Sequence, residues 1–266
     1  YYDAPDKIRF REALKVVVTQ ALNATSAQVN LLDSGGHPTE TDVNVIFHDS
    51  FSGVVRYNMI HTLNNKGNPD TLSLDHLSTY DVLAQTIPPV TLENVKLVTG
   101  RHNTIGLDTP QGFMLVRTSR GKAYDREKIL VKKSGDHETI NVQSFGDIGK
   151  YIVGKYDLEI PIYPLMLIED VEIRQSYTTT VEIPAPGHVT LVSQQSGSGS
   201  LYQLNPEGDQ IWVLNLQERA TTQDFYLQPG SYRVVFRRSD LKATDFTVVR
   251  DFNIYSGSSE SIHIDQ

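Results

Sequence analysis

A repeat with a period of 76 residues most constrains how this chain of 266 residues can fold. Tyr80, Tyr156 and Tyr232 follow one another at that interval. Between the first two copies the same interval relates a further set of identical residues: Asp81 and Asp157, Pro88 and Pro164, Glu93 and Glu169, Val95 and Val171, Thr104 and Thr180, Pro110 and Pro186. Because this period suits a small domain better than a solenoid unit, the sequence predicts tandem copies of one fold.

The repeat consists mostly of strand signals. Apolar and polar residues alternate around each repeated Tyr and in the two segments that follow it, with the β-branched enrichment of half-buried strands. Ten residues separate matching positions of those last two strands in every copy, as from Val95 to Ile105. This spacing predicts a hairpin with Gly100, Ser176 or Gly257 at its tip.

The residues before each repeated Tyr predict how its strand is entered. Gly154 and Gly230 stand two residues before Tyr156 and Tyr232 and indicate a turn at that point. We interpret the three Tyr side chains as packing residues at a sandwich corner, each with its hydroxyl bonded to backbone. The structural repeat residues are therefore Tyr80, Tyr156, Tyr232, Gly154 and Gly230.

These patterns predict an all-β chain of three tandem small β-sandwich domains, at residues 25–111, 112–187 and 188–266. Short Pro-Gly links between them predict a stiff, elongated array. Residues 1–24 form an N-terminal extension, or the tail of a domain upstream. Asp6 to Leu14 could begin a helix, but the β-branched run from Leu14 to Thr19 favours a strand.

Composition excludes several function classes. The net charge of -8 argues against nucleic acid, whose binding rests on clustered Lys and Arg. No apolar run approaches the roughly 18–20 residues of a membrane span. The lack of cysteine excludes disulfides, zinc–thiolate sites and Cys nucleophiles. A start at Tyr1 without a signal-peptide pattern leads us to expect a processed protein or an excised piece.

Signals for catalysis are weak. The eight His residues show no metal-binding spacing, and no nucleophile elbow or phosphate loop occurs. His102 and Asp108 are a conceivable acid–base pair, although the second copy has Thr178 and Pro184 there. The run from Ser196 to Ser200 is interpreted as a flexible hairpin loop. We predict no enzymatic activity and no cofactor.

Two binding hypotheses remain, each beside a structural alternative. Asn64, Asn68 and Asp70 offer oxygen ligands for calcium, but the same residue types suit any tight loop. The single Trp, Trp212, lies in an apolar strand and is interpreted mainly as a core residue. The alternative is an aromatic platform for a sugar ring, formed by Trp212, Tyr202 and Tyr226.

Several segments together carry a family resemblance: LSTYDVLAQTIPPV, GRHNTIGLDTPQG, ETINVQ and LQPGSYRVVFR. They resemble the region that follows a von Willebrand factor A domain in Bacteroidetes surface proteins, often labelled calcium-activated chloride channel homologues. The turn, the Tyr strand and the hairpin are also similar to prealbumin-like modules with Greek-key topology, such as carboxypeptidase regulatory-like and Cna B-type domains. The similarity covers most of residues 7–266 and carries no catalytic group. The D-x-S-x-S metal-ion-dependent adhesion motif of the A domain is absent.

The resemblance implies an exported bacterial protein, periplasmic or on the cell surface. The predicted function is a non-catalytic scaffold or interaction segment, a stalk following a von Willebrand factor A domain. Its expected partners are a protein or a cell-surface glycan, without nucleic acid or a membrane span. The alternative function is a carbohydrate-binding module that uses the aromatic residues of the third domain.

Overall fold

The computed structural model describes residues 4–121, 124–241 and 243–265. Within these ranges it has one α-helix, one short 3-10 turn at Thr244–Phe246 and 21 strands. The strands form six sheets.

The N-terminal segment is a helix, α1, at Ala4–Ala24, so the strand predicted for it is wrong. Pro5 and Asp6 lie in its first turn, where proline and a carboxylate favour a helix. No strand of the described chain pairs with this segment, and a helix satisfies its own backbone hydrogen bonds without a neighbour. Neither α1 nor any other described helix is long and apolar enough to cross a membrane.

The strands fall into three consecutive sets of seven, which we call modules 1, 2 and 3. Module 1 consists of β1 (Ser26–Leu32), β2 (Val43–Asp49), β3 (Val55–His61), β4 (Leu72–Ser73), β5 (Thr79–Ala84), β6 (Val90–Lys96) and β7 (His102–Asp108). Module 2 consists of β8 (Gln111–Thr118), β9 (Lys128–Lys133), β10 (Thr139–Ser144), β11 (Ile148–Ile152), β12 (Gly154–Ile160), β13 (Met166–Ile173) and β14 (Thr178–Ile183). Module 3 consists of β15 (Gly187–Val192), β16 (Gly197–Leu204), β17 (Gln210–Asn215), β18 (Thr222–Leu227), β19 (Gly230–Arg238), β20 (Val248–Ile254) and β21 (Ser259–His263).

All three modules have the same strand order. The three-stranded sheets are β4-β1-β7, β11-β8-β14 and β18-β15-β21, so the first strand always lies between the fourth and the seventh. The four-stranded sheets are β3-β2-β5-β6, β10-β9-β12-β13 and β17-β16-β19-β20. Six sheets in three pairs confirm the predicted all-β class and the tandem β-sandwich architecture.

In modules 1 and 3 the first and last strands pair in parallel. In module 1 the register runs from Ser26 opposite His102 to Leu32 opposite Asp108. In module 3 it runs from His188 opposite Ser259 to Val192 opposite His263. The chain therefore enters such a module at one end of this strand pair and leaves it at the other.

Each sandwich encloses an apolar core to which the repeated Tyr contributes. In module 1 the ring of Tyr80 meets Phe47 edge to face, with 5.8 Å between centroids. In module 3 Tyr232 stacks on Phe252 at 5.9 Å. The alternating burial of strands such as β5 and β12 places every second residue in these cores.

The last hairpin of each module turns through a left-handed residue. Gly100 has φ 69°, Gly257 has φ 73°, and Ser176 takes the same role in module 2 with φ 57°. Only glycine adopts this conformation without steric cost, so Ser176 is strained by comparison.

The chain divides into two compact units. Unit 1 comprises Tyr1–Phe113, Lys150–Gly154 and Ile173–Tyr177, and unit 2 comprises Met114–Gly149, Lys155–Glu172 and Thr178–Gln266. Unit 1 thus holds all of module 1, and unit 2 holds all of module 3. The domain boundaries at residues 25–111, 112–187 and 188–266 remain a proposal.

Inside unit 1, the buried carboxylate of Glu40 accepts hydrogen bonds from several donors. It accepts hydrogen bonds from the backbone N–H of Gln111 at 3.2 Å and from the side-chain amide of Gln111 at 3.3 Å. The amide of Gln175 donates to it at 2.6 Å, and the ammonium of Lys150 lies 3.5 Å away. Glu40 therefore joins the β1–β2 loop to three segments that follow module 1 in sequence.

Candidate functional site

The repeated Tyr residues occupy equivalent buried positions near the start of β5, β12 and β19. The hydroxyl of Tyr80 donates to the backbone oxygen of Asp75 at 2.8 Å, and that of Tyr232 donates to the backbone oxygen of Gln228 at 2.7 Å. Gly154 and Gly230 are the first residues of β12 and β19. Burial raises the pKa of Tyr80 to about 12, so the hydroxyl stays neutral and acts as a donor.

In modules 1 and 2, the carboxylate that follows the repeated Tyr accepts a hydrogen bond from a residue with positive φ in the neighbouring strand. Asp81 accepts the backbone N–H of Asn94 at 2.8 Å, and Asp157 accepts that of Asp170 at 2.9 Å. Asn94 and Asp170 have φ values of 58° and 59°. The hydrogen bonds from these N–H groups are the main cause of the lowered pKa of each carboxylate. Module 3 has Arg233 at this position.

Trp212 is exposed, so its interpretation as a core residue is wrong. It lies on β17 with 58% of its surface accessible, opposite Tyr202 on β16. The pairs Leu201–Leu214 and Tyr202–Trp212 are separated by one residue on β16 and by two on β17, which is a β-bulge. The bulge breaks the alternation of β17, so that Val213 and Leu214 are both buried while Trp212 faces solvent.

The indole of Trp212 is held by hydrogen bonds on the sheet surface. Its N–H donates to the side-chain oxygen of Asn215 at 3.1 Å. The same oxygen accepts the hydroxyl of Ser200 at 2.8 Å. An exposed ring fixed in this way loses little side-chain entropy when a ligand covers it.

A depression of about 390 Å³ is lined by Asn215 and Tyr202, the hydrogen-bond partner and the cross-strand neighbour of Trp212, although Trp212 itself is not part of the lining. Its volume is within the range of roughly 300–1,000 Å³ typical of small-ligand pockets. We call it the depression beside Trp212. The side chains that give it polar character are Ser198, Ser200, Tyr202, Asn215, Glu218 and Arg237. Hydroxyl, amide, carboxylate and guanidinium groups next to an aromatic ring can both donate to and accept from a sugar. Apart from Tyr202, the sequence analysis did not predict these residues as a binding site, because they come from separate strands.

Residues 197–200 belong to a strand, so the hairpin loop predicted from Ser196 to Ser200 is wrong. A Cβ on Gly197 would approach the backbone oxygen of Arg237 to 2.3 Å, and one on Gly199 that of Val235 to 2.6 Å. The glycines are therefore needed for close packing of β16 against β19. Between them, Ser198 contributes a small side chain to the depression.

Tyr226 is separate from Trp212 and Tyr202. It lies on β18, in the other sheet of module 3, and its ring centroid is 5.2 Å from that of His188. The structure therefore brings together two of the three residues predicted to bind a sugar. Closeness in sequence could not show that β17 and β18 belong to different sheets.

The calcium candidates lie in the β3–β4 loop. The side-chain oxygen of Asn64 accepts the backbone N–H groups of Lys66 at 2.9 Å and Asn68 at 3.2 Å. It therefore stabilises the turn itself. The described residues contain no group of three or more His, Asp or Glu side chains that could hold a metal ion. Calcium binding by Asn64, Asn68 and Asp70 stays a prediction.

The suggested acid–base pair does not form. His102 begins β7 and Asp108 ends it, so an extended strand holds them about 20 Å apart. His102 instead bonds to the hydroxyl of Ser26 at 2.9 Å and to the side-chain oxygen of Gln28 at 3.1 Å.

No protein-family model and no curated protein matches the chain. Among solved structures it is similar to the Bacillus anthracis TIE protein, with 12% identity and a TM-score of 0.26 over 91% of this chain and 50% of that one. It is also similar to the minor pilin of Streptococcus agalactiae, with 10% identity and a TM-score of 0.27 over 57% of this chain and 94% of that one. A third is the major pilin subunit of Bacillus cereus, with 9% identity and a TM-score of 0.20 over 91% and 98%. The chain spans only half of the first of these proteins. At identities and TM-scores this low, the similarity carries no argument about what this chain does.

Proposed function

We propose that this chain is a non-catalytic, force-bearing scaffold of an exported protein, built from three copies of one β-sandwich module. The sequence resemblance supports the finer role of a stalk following a von Willebrand factor A domain at a bacterial surface. A scaffold of this kind has to transmit tension from its N-terminal to its C-terminal end without unfolding.

The parallel pairing of first and last strands carries this proposal. Tension applied to the two ends of module 1 pulls β1 and β7 in opposite directions along their shared axis. All the backbone hydrogen bonds between Ser26–Leu32 and His102–Asp108 are then loaded together. Strands pulled apart from one end would instead lose these bonds one after another.

Single-molecule pulling tests the proposal through the direction of force. The natural chain has no cysteine, so handles can be attached at introduced pairs. A Ser26→Cys and Asp108→Cys chain loads β1 against β7 in shear, whereas a Ser26→Cys and His102→Cys chain opens them from one end. We expect a several-fold higher unfolding force for the first pair. Equal forces for the two pairs would contradict a force-bearing design.

We propose glycan binding at the depression beside Trp212 as a second function of the scaffold. The observation that favours it is the exposed indole, fixed by Asn215 next to a polar depression of about 390 Å³. Aromatic rings with adjacent hydrogen-bonding groups suit the apolar face and the hydroxyl rim of a sugar.

A glycan array probed with the whole chain tests this second function. Trp212→Ala should abolish any binding, while Tyr255→Ala, which removes another exposed aromatic ring of module 3, should leave it unchanged. Binding that survives Trp212→Ala would place the glycan elsewhere, and an array without any bound glycan would remove the hypothesis.

A further inference from the structure

A second cleft, of about 220 Å³, lies within unit 2 and shares no lining residue with the depression beside Trp212. Module 2 and the segment after β12 supply Tyr124, Glu127, Pro161, Ile162 and Tyr163 to its lining, and β18 supplies Asp224, Phe225 and Tyr226. Its volume is below the roughly 300–1,000 Å³ of small-molecule pockets. A cleft of this size suits a single side chain.

Two aromatic rings of this cleft are open to solvent. Tyr163 is 49% exposed and Tyr226 is 54% exposed. Both rings are this open although the segment of Tyr163 contacts the end of β18, the strand that carries Tyr226. His188 packs against Tyr226 in a tilted arrangement, with 5.2 Å between ring centroids. Exposed ring faces of this kind attract cations through the aromatic quadrupole.

The charges of the cleft favour the same kind of ligand. Glu127 and Asp224 contribute carboxylates, and the described residues that line the cleft include no Lys or Arg. The Asp224 carboxylate is fixed by the hydroxyl of Thr190, which donates to it at 2.7 Å, and lies 3.3 Å from the imidazole of His188. An anion would be repelled here, whereas an ammonium or guanidinium group would gain both carboxylates.

Tyr124 also lines the cleft, and its hydroxyl is buried away from solvent. Tyr124 is 2% exposed, and its hydroxyl has no hydrogen-bond partner among the described residues. Burial, with a smaller contribution from the Glu127 carboxylate, raises the pKa of this phenol above its usual value. The hydroxyl is therefore neutral, and leaving its oxygen unpaired is costly.

Hydrogen bonds hold the wall of the cleft in place before a ligand arrives. The backbone N–H of Gln228 donates to the carbonyl oxygen of Tyr163 at 2.8 Å, and its side-chain amide donates to that of Pro164 at 2.5 Å. Leu227 also forms a β-bridge with Tyr163. The position of the Tyr163 backbone relative to the end of β18 is thus fixed.

We propose that this cleft binds a lysine or arginine side chain of a protein partner. Tyr163 and Tyr226 present their rings to the aliphatic stem and the cationic head. Glu127 and Asp224 neutralise the charge. This partner site is independent of glycan binding beside Trp212.

Titration of the isotope-labelled whole chain with capped tripeptides tests the site by NMR. The peptides differ only in a central lysine, arginine, norleucine or glutamate, and methyl glucoside serves as a neutral sugar probe. We expect saturable shifts of the Glu127, Tyr163 and Tyr226 amides with lysine and arginine only. Added salt should weaken this binding because the carboxylates contribute to it.

Variants then distinguish the contribution of the aromatic rings to binding from that of the carboxylates. Tyr226→Ala should weaken lysine and arginine binding about two- to fivefold, as expected for the loss of one exposed ring. A Glu127→Gln and Asp224→Asn double variant should remove the salt dependence, while Tyr255→Ala should change neither property. Three outcomes would each overturn the proposal. The norleucine peptide could bind as tightly as the lysine peptide, the glutamate peptide or the glucoside could cause the same shifts, or the cationic peptides could cause no shifts.

Discussion

The hydroxyl of Tyr232 donates to the backbone oxygen of Gln228 at 2.7 Å. The repeated Tyr of module 3 therefore also fixes the turn between β18 and β19, where Gln228 lies. Gln228 in turn donates its backbone N–H to Tyr163. One buried hydroxyl therefore stabilises both the corner of a sandwich and the wall of the cleft beside β18. The same residue serves as the first test of the fold.

Replacing Tyr232 by Phe should destabilise module 3 by about 1 kcal/mol, since one hydrogen bond is lost while the ring stays packed. Trp212 is the only Trp and lies in module 3, so its fluorescence during urea unfolding reports on that module. Tyr80→Phe makes the equivalent change in module 1 and is the matched control. Tyr80→Phe should leave the midpoint of the urea transition reported by Trp212 fluorescence unchanged. An unchanged midpoint in Tyr232→Phe would show that the hydroxyl contributes nothing.

Replacing Ser176 by Gly should stabilise the hairpin between β13 and β14 by about 0.5 kcal/mol. Its φ of 57° is unfavourable for a residue with a side chain, and glycine stands at the matching positions with φ values of 69° and 73°. The converse change, Gly257→Ala, should cost about 1 kcal/mol. Calorimetry of both variants checks the pair, and opposite signs are required.

Stability should fall in acid because of Asp81 and Asp157. Hydrogen bonds from backbone N–H groups lower the pKa of both carboxylates in the folded chain below the usual 3.8. Their stabilisation is therefore complete above the unfolded pKa and is lost as the pH falls through the lower folded value. Asp157→Asn keeps an acceptor but no charge. Its unfolding temperature should lie below that of the natural chain at neutral pH, and the gap should narrow as the pH falls below 3.8.

Asp108→Asn is the control for this acid series, because Asp108 is an exposed carboxylate at the end of β7. Its unfolding temperature at neutral pH should lie close to that of the natural chain. A gap for Asp157→Asn that does not change with pH would mean that the carboxylate charge does not stabilise the Asp170 conformation.

Replacing Glu40 by Ala should destabilise unit 1 by about 3 kcal/mol. The change leaves the buried Gln111 amide, the partly buried Gln175 amide and the Lys150 ammonium without their shared acceptor. Calorimetry should show a lower unfolding temperature for a transition that Trp212 fluorescence does not follow. Glu93→Ala, at an exposed carboxylate of β6, should have little effect. Similar losses in the two variants would remove the special role of Glu40.

The sequence predicted the strands and the repetition of the module because the sequence patterns that indicate them are local. A Tyr strand and a hairpin with a ten-residue spacing recur at a fixed interval, and each depends only on neighbouring residues. The exposure of Trp212 and the separation of Tyr226 were not predictable in this way. The first depends on a bulge between β16 and β17, and the second depends on which sheet β18 joins, so both are properties of long-range pairing.

The helix at Ala4–Ala24 and the strand at Gly197–Leu204 were missed for a similar reason. The β-branched run in α1 favours a strand by propensity, but no described strand pairs with it. Conversely, Gly197 and Gly199 suggest a loop by composition, yet their missing side chains allow β16 to lie close to β19. Available neighbours outweighed intrinsic preference in both places.

The parallel pairing of β1 with β7 also bears on how such a chain can evolve. Because a module begins and ends at opposite poles, a duplicated copy can be inserted in line without the polypeptide doubling back or reopening an existing core. Gain or loss of whole copies would then alter the length of the protein while leaving each hydrophobic interior untouched.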